Sequence, residues 1–341
     1  MRDALQSYLL DSHGIKIDDS DISLFPLVGE GRIEDRSKMM ANVLMPERSK
    51  RADVLSNADT VFVVTHSQGT PVSAMILERL LEMGIVDTTR QRVGMLAMAG
   101  ISHGPLPYLK DNVVIKYIES EAARELFELM DPSSPQSQRY VAALSTILHK
   151  GVRLSCVGAW VDEVVPLYSA ILQGVSHQNV YRAAYIDAPH YLDDFLTNLI
   201  VFALRLRNMG IYDHDLLIHL SEVVAGSLWG HSGHSTIYGE PAVYKLLVKW
   251  LLYSTSSVTA SSIPTSTSIH MSYRPFNASE QLNPFYIPWI MRTLWDEPEI
   301  RQNEGLRTEL QRLVKLFDQW SPETKVGKEL KYRLEPVRAA I

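Results

Sequence analysis

TVFVVTHSQGTPVSAMILERLLEMG, running from Thr60 to Gly84, is the stretch whose reading decides the fold. Thr60 to His66 is a short β-branched run, the kind that fits a strand buried on both faces. Helical periodicity begins directly after it. Val72, Met75, Ile76, Leu80 and Met83 recur at i, i+3, i+4 spacing, Pro71 is tolerated in a first turn, and Gly84 is a natural C-cap. Ser67-Gln68-Gly69 lies between the two. A serine in a sharp strand-to-helix turn has its Oγ where a base can reach it and backbone N–H groups where an oxyanion develops. Ser67 is therefore the candidate nucleophile, and the Gln68 N–H is one candidate oxyanion donor. The plainer reading is an ordinary βα turn, since S-x-G also occurs at Ser12-His13-Gly14. The flanking strand and helix tip the balance toward the elbow.

The literal G-x-S-x-G motif lies elsewhere, at Gly100-Ile101-Ser102-His103-Gly104. Pro105-Leu106-Pro107 follows it and argues against an immediate helix. At Ser67 the first glycine is replaced by Thr65, yet the strand–turn–helix context is complete. Ser102 and His103 read as part of a loop at the C-terminal edge of a sheet, near the site but not the nucleophile.

Outward from this stretch, strand-like and helix-like segments alternate. DISLFPLVGEG, from Asp21, reads as a strand and turn, and Glu34 to Asn57 as helical. VGMLAMAG (Val93 to Gly100) reads as a buried strand and NVVIKYI as a short one. Glu119 to Lys150 reads as helix broken by DPSSPQS; it is a candidate cap, and an ordinary crossover helix explains it nearly as well. VRLSCVGAW and VYRAAYID are further strands, and YLDDFLTNLIVFALRLRN is a long helix. This alternation predicts an α/β fold with a mostly parallel sheet and flanking helices. The expected organisation is a core over 1–252, a Ser/Thr-rich flexible loop over 253–272 and a helical extension over 273–341.

In such a fold the acid follows the serine and the histidine follows the acid. VRLSCVGAWVDEVVPLYSA delivers Asp162 at the end of a strand, where a carboxylate can orient an imidazole and stabilise its cation. The plainer reading of Asp162 is a helix cap. Glu163 should point elsewhere. Two histidines compete for the base. His190 lies just past VYRAAYID and before a long helix; His234 lies in Gly230-His231-Ser232-Gly233-His234-Ser235. A lone loop histidine is more often a surface residue, so each carries that alternative. His66 should point away if Ser67 points into the site.

The bulk numbers exclude several classes. The chain has 341 residues, 46% hydrophobic and 21% charged, with a net charge of −6, the balance of an ordinary globular protein. No basic tract asks for nucleic acid. Cys156 is the only cysteine, so no disulfide closes within the chain and a reducing compartment is the easier reading. The N-terminus has no apolar signal-peptide core. No apolar run reaches the roughly 20 residues of a membrane span; FLTNLIVFALRLRN is interrupted by Asn198 and Arg205. A cytoplasmic protein without metal or organic cofactor is the expectation.

THSQGTPVSAMIL, MAGISHGP, VGAWVDEVVPLYSAIL, FLTNLIVFALRLRN, LSEVVAGSL, GHSTIY and NPFYIPW together resemble a group of fungal α/β-hydrolase-like, lipase- or esterase-like proteins. The resemblance touches most of the chain from Asp21 onward. It implies a serine hydrolase acting on an ester or lipid ester. GHSTIY looks like one of the group's motifs, which tilts the base toward His234, with His190 the geometric alternative. Relatives carry, before the part matching Asp21, a strand and a His-Gly-Trp-Phe-Pro-like loop that supplies a second oxyanion donor. This sequence lacks them and so reads as N-terminally shortened. Loss of one donor costs about 2.7–4 kcal/mol of transition-state stabilisation. The competing expectation is accordingly an inactive hydrolase-like protein acting through protein contacts of its C-terminal helices. A thioesterase or acyltransferase would use the same three side chains.

Overall fold

The computed structural model describes residues 1–45, 50–111, 121–187, 191–224, 233–253, 270–280 and 282–338. Helix α1 (Arg2–His13) is followed by α2 (Ile33–Val43), α3 (Arg51–Asn57), strand β1 (Thr60–His66), α4 (Gly69–Glu82) and β2 (Arg92–Met98). Then come α5 (Glu121–Glu128), α6 (Pro135–His149), β3 (Arg153–Ala159), the short α7 (Leu167–Ala170), β4 (Val175–Ser176) and β5 (Val180–Tyr185). The remainder is mostly helical: α8 (Phe195–Asn208), α9 (Leu216–Val224), α10 (Gly233–Thr236), α11 (Pro241–Tyr253), strand β6 (Ser272–Tyr273), and α12 to α15 (Ile287–Asp296, Pro298–Gln302, Glu304–Gln319, Lys325–Leu334).

Four strands form one parallel sheet in the order β1-β2-β3-β5. Helices cover both faces, as is usual for a parallel sheet. On one face α4 packs beside α2 and α6, burying Met75, Leu77, Ala143, Leu144 and Ile147 with Met95 and Leu154. α8 lies over β5 on this same face, against Ala184, while α11 crosses β2 and β3 on the other, where Leu247 meets Leu96 and Val157. α14 packs on α8, so that Phe195, Phe202, Leu310 and Phe317 join a second apolar cluster with the other C-terminal helices. This is the mostly parallel α/β architecture the alternating pattern predicts. No helix among the described residues is long and apolar enough to cross a membrane.

Two expectations are corrected. The segment from Ile22 to Arg32 is not a strand: a 3-10 turn at Asp19–Asp21 leads into unpaired backbone until α2. Pro26 removes a ladder donor, and the segment pairs with no strand among the described residues. β1 is also not buried on both faces. Among the described residues it is an edge strand of the sheet, and Val64 is 37% exposed. The Ser67 N–H bonds Met98 toward β2, so the alternating backbone groups of Phe62 and Val64 face the open side. β2 and β3, in the middle, are buried almost throughout. The segment NVVIKYI falls in 112–120, and most of the Ser/Thr-rich stretch in 254–269, both outside the described residues.

Candidate active site

β1 ends at His66, and Ser67 takes a left-handed backbone conformation with φ of +54°. Only a constrained turn holds a non-glycine residue there, at a cost of about 1–3 kcal/mol. The constraints are visible. The Ser67 N–H donates to the Met98 carbonyl (3.0 Å), and the Ser67 carbonyl accepts from Thr70 (3.1 Å) and Ile101 (3.2 Å). The turn is also sterically tight. A Cβ at Gly69 would sit 2.8 Å from Thr65 Oγ1, so the residues two before and two after the serine cannot both be large. Thr65 in place of glycine is compatible with the elbow because Gly69 yields the space. The Gln68 N–H is at the N-terminal end of α4, where backbone donors have no helical partner. Its side-chain Oε1 accepts from Arg36 Nη1 at 3.2 Å.

Asp162 follows β3 and is 2% exposed. Its Oδ1 accepts the N–H groups of Val164 and Val165, each at 2.8 Å. Its Oδ2 is 2.9 Å from His234 Nδ1. Asp162 caps no helix, since the next one starts after Pro166; its Oδ1 fastens the turn before it, and its Oδ2 faces an imidazole. Because a carboxylate only accepts, Nδ1 carries the proton, which leaves Nε2 as the acceptor in a neutral ring. Nε2 lies 3.0 Å from Ser67 Oγ. A Ser–His–Asp relay is thus assembled from three segments, after β1, after β3 and in α10. Its geometry suits proton abstraction from Oγ.

The backbone carrying His234 is pressed against the acid's turn. A Cβ at Gly233 would lie 1.5 Å from the Val161 carbonyl oxygen, so only glycine brings α10 this close. His190 lies outside the described residues. His66 does not simply point away from the site. Its ring Nε2 is 2.8 Å from the His234 carbonyl oxygen, and the two imidazole centroids are 4.7 Å apart. Sequence reasoning missed this contact, because strand alternation predicts a side and not what a distant loop brings to it.

Ser102 and His103 form a separate, buried arrangement. Ser102 Oγ is 3.2 Å from the Tyr140 hydroxyl. Ser169 Oγ accepts both the Ser102 and His103 N–H groups, at 3.0 and 2.9 Å, and donates to the Gly104 carbonyl at 2.8 Å. The His103 ring donates through Nε2 to the Gln173 carbonyl, and burial lowers its pKa to about 4. The partner of the Ser102 hydroxyl among the described residues is the Tyr140 hydroxyl, not an imidazole. Among the described residues no group of three or more His, Cys, Asp or Glu side chains could hold a metal ion.

No curated protein and no solved structure matches the chain. A family model does match, over residues 2–298, covering the sheet, the elbow, Asp162 and His234. The chain belongs to the YMC0/YMC35 alpha/beta hydrolase domain family.

Proposed function

We propose that the protein is a serine hydrolase that cleaves an ester or lipid ester through an acyl-enzyme. The observation that carries this is the continuous relay from Ser67 Oγ to His234 Nε2 (3.0 Å) and from His234 Nδ1 to Asp162 Oδ2 (2.9 Å). In this reading Ser67 Oγ attacks the acyl carbonyl carbon while His234 Nε2 takes its proton. Asp162 holds the imidazole in the productive tautomer and offsets the charge of the imidazolium. The Gln68 N–H, at the positive end of α4, faces the oxyanion. The tetrahedral intermediate collapses with release of the alcohol, which receives the proton from His234. Water, deprotonated by the same histidine, then attacks the acyl-enzyme and frees Ser67.

The test is labelling by a fluorophosphonate, followed by hydrolysis of a panel of acyl esters of different chain length. Labelling that disappears in Ser67→Ala and persists in Ser102→Ala supports the reading. A folded protein that does not label, or that loses labelling only in Ser102→Ala, overturns it.

A further inference from the structure

His66 links the serine turn to the histidine loop in a way the relay itself does not require. It is the last residue of β1, one position before Ser67. Its Nε2 lies 2.8 Å from the carbonyl oxygen of His234, 168 positions further along the chain. A carbonyl only accepts, so the His66 Nε2 donates its proton. The two rings pack with centroids 4.7 Å apart at 51°, and Tyr238 closes the other side edge-on at 5.4 Å. The strand that presents the nucleophile therefore grips the backbone of the residue that presents the base.

That grip matters because α10 is a short element whose backbone must hold its imidazole in place. It is four residues long, Gly233 to Thr236, too short to be a stable helix by itself. One side of it is set by contact: Gly233 abuts the Val161 carbonyl, with no room for a Cβ. That contact stops His234 from moving inward. The His66 hydrogen bond stops its backbone from moving outward, away from Ser67. We propose that His66 is a positioning residue for the base: acting through the His234 carbonyl, it keeps the imidazole within hydrogen-bond reach of Ser67 Oγ. This rests on the triad reading above. Burial holds the His66 pKa below its ordinary value. The ring is thus neutral at neutral pH and sets no positive charge against an imidazolium at His234. The charged or titratable groups nearest it are His234, Asp162 and Tyr238.

A donor at this place, rather than an aromatic ring, is the feature to test. His66→Gln keeps an N–H at about the distance of Nε2 without a titrating group. His66→Phe keeps the ring volume without the donor. The first readout is the rate of phosphonylation by a fluorophosphonate, with thermal melting beside it. His66→Phe is expected to label roughly 10–100-fold more slowly, the scale set by displacement of a catalytic group by about 1 Å. His66→Gln is expected to recover most of the rate. The second readout does not depend on catalysis: the low-field NMR proton of the His234–Asp162 hydrogen bond. It should be broadened or lost in His66→Phe and kept in His66→Gln. Equal rates and equal proton spectra for the two variants and the wild type would overturn the proposal. So would a Gln variant as impaired as the Phe variant. A wild type that shows the low-field proton but never labels would sink the hydrolase reading, and the spectra of the two variants would still judge His66.

Discussion

Two serine turns follow neighbouring strands of one parallel sheet, and they differ in nearly everything that matters for chemistry. Ser67, after β1, has positive φ, is half-buried, and lies 3.0 Å from an imidazole whose other nitrogen meets a carboxylate. Ser102, after β2, carries the literal glycine motif, is 6% exposed, and meets a tyrosine hydroxyl. Each has a histidine as its chain neighbour. His66 donates to the backbone of the base, while His103 is sealed in the core on the Gln173 carbonyl. The difference teaches that a nucleophile is defined by access and by a base from elsewhere in the chain. The glycine spacing around Ser102 serves a packed loop, whose N–H groups are gathered by Ser169.

The comparison breaks most sharply at the nucleophile itself. Ser67→Ala should lower hydrolysis by about 10⁶-fold, on the scale seen when a triad serine is removed, while Ser102→Ala should leave it within a few-fold. Initial rates on the best ester of a panel read both, and an inactive Ser102→Ala with intact Ser67 would invert the assignment. Asp162→Asn should cost about 10⁴-fold in kcat, because the amide would favour the wrong imidazole tautomer. If Asp162 only fastened the turn through Val164 and Val165, the asparagine, whose oxygen also accepts, would be nearly as active. Gly233→Ala sharpens the same point from the backbone side. A Cβ there meets the Val161 carbonyl at 1.5 Å, so α10 must shift, and roughly 10²-fold in kcat should be lost with little change in KM.

The second turn should respond in stability rather than in activity. Ser169→Ala leaves two buried N–H groups without an acceptor and should cost about 1–3 kcal/mol, read by urea denaturation. Labelling of Ser67 should survive in the folded fraction. The smallest effect is electrostatic. Burial lowers the folded-state pKa of His103 from the ordinary 6.5 to about 4. The unfolded chain then binds more protons than the folded one between those values. The stability this group contributes is complete above about 6.5 and is lost as pH falls toward about 4. His103→Gln should flatten that part of the stability curve; an unchanged slope would show that His103 does not titrate in this window.

Much of this was legible along the chain. Thr60 to Gly84 announces strand, turn and helix because each depends on short-range matters: side-chain shape, helical spacing, a capping glycine. The strand ending before Asp162 is legible for the same reason. DISLFPLVGEG is not, since its apolar residues satisfy a strand pattern but a strand also needs a partner edge. The exposure of β1 escaped notice likewise, because sheet order is not written in any one strand.

What the sequence alone determined is the α/β class, the strand–turn–helix around Ser67, and an acidic residue just after the strand that becomes β3. Each follows from contacts within about twenty positions. What only the tertiary structure decided is that His234 meets Ser67, that Asp162 divides its two oxygens between a turn and an imidazole, and that His66 bonds the His234 carbonyl. Ser67 and His234 are 167 positions apart, and Asp162 and His234 are 72 apart. Proximity over such separations is set by packing of the whole sheet and its helices, and no local pattern encodes it.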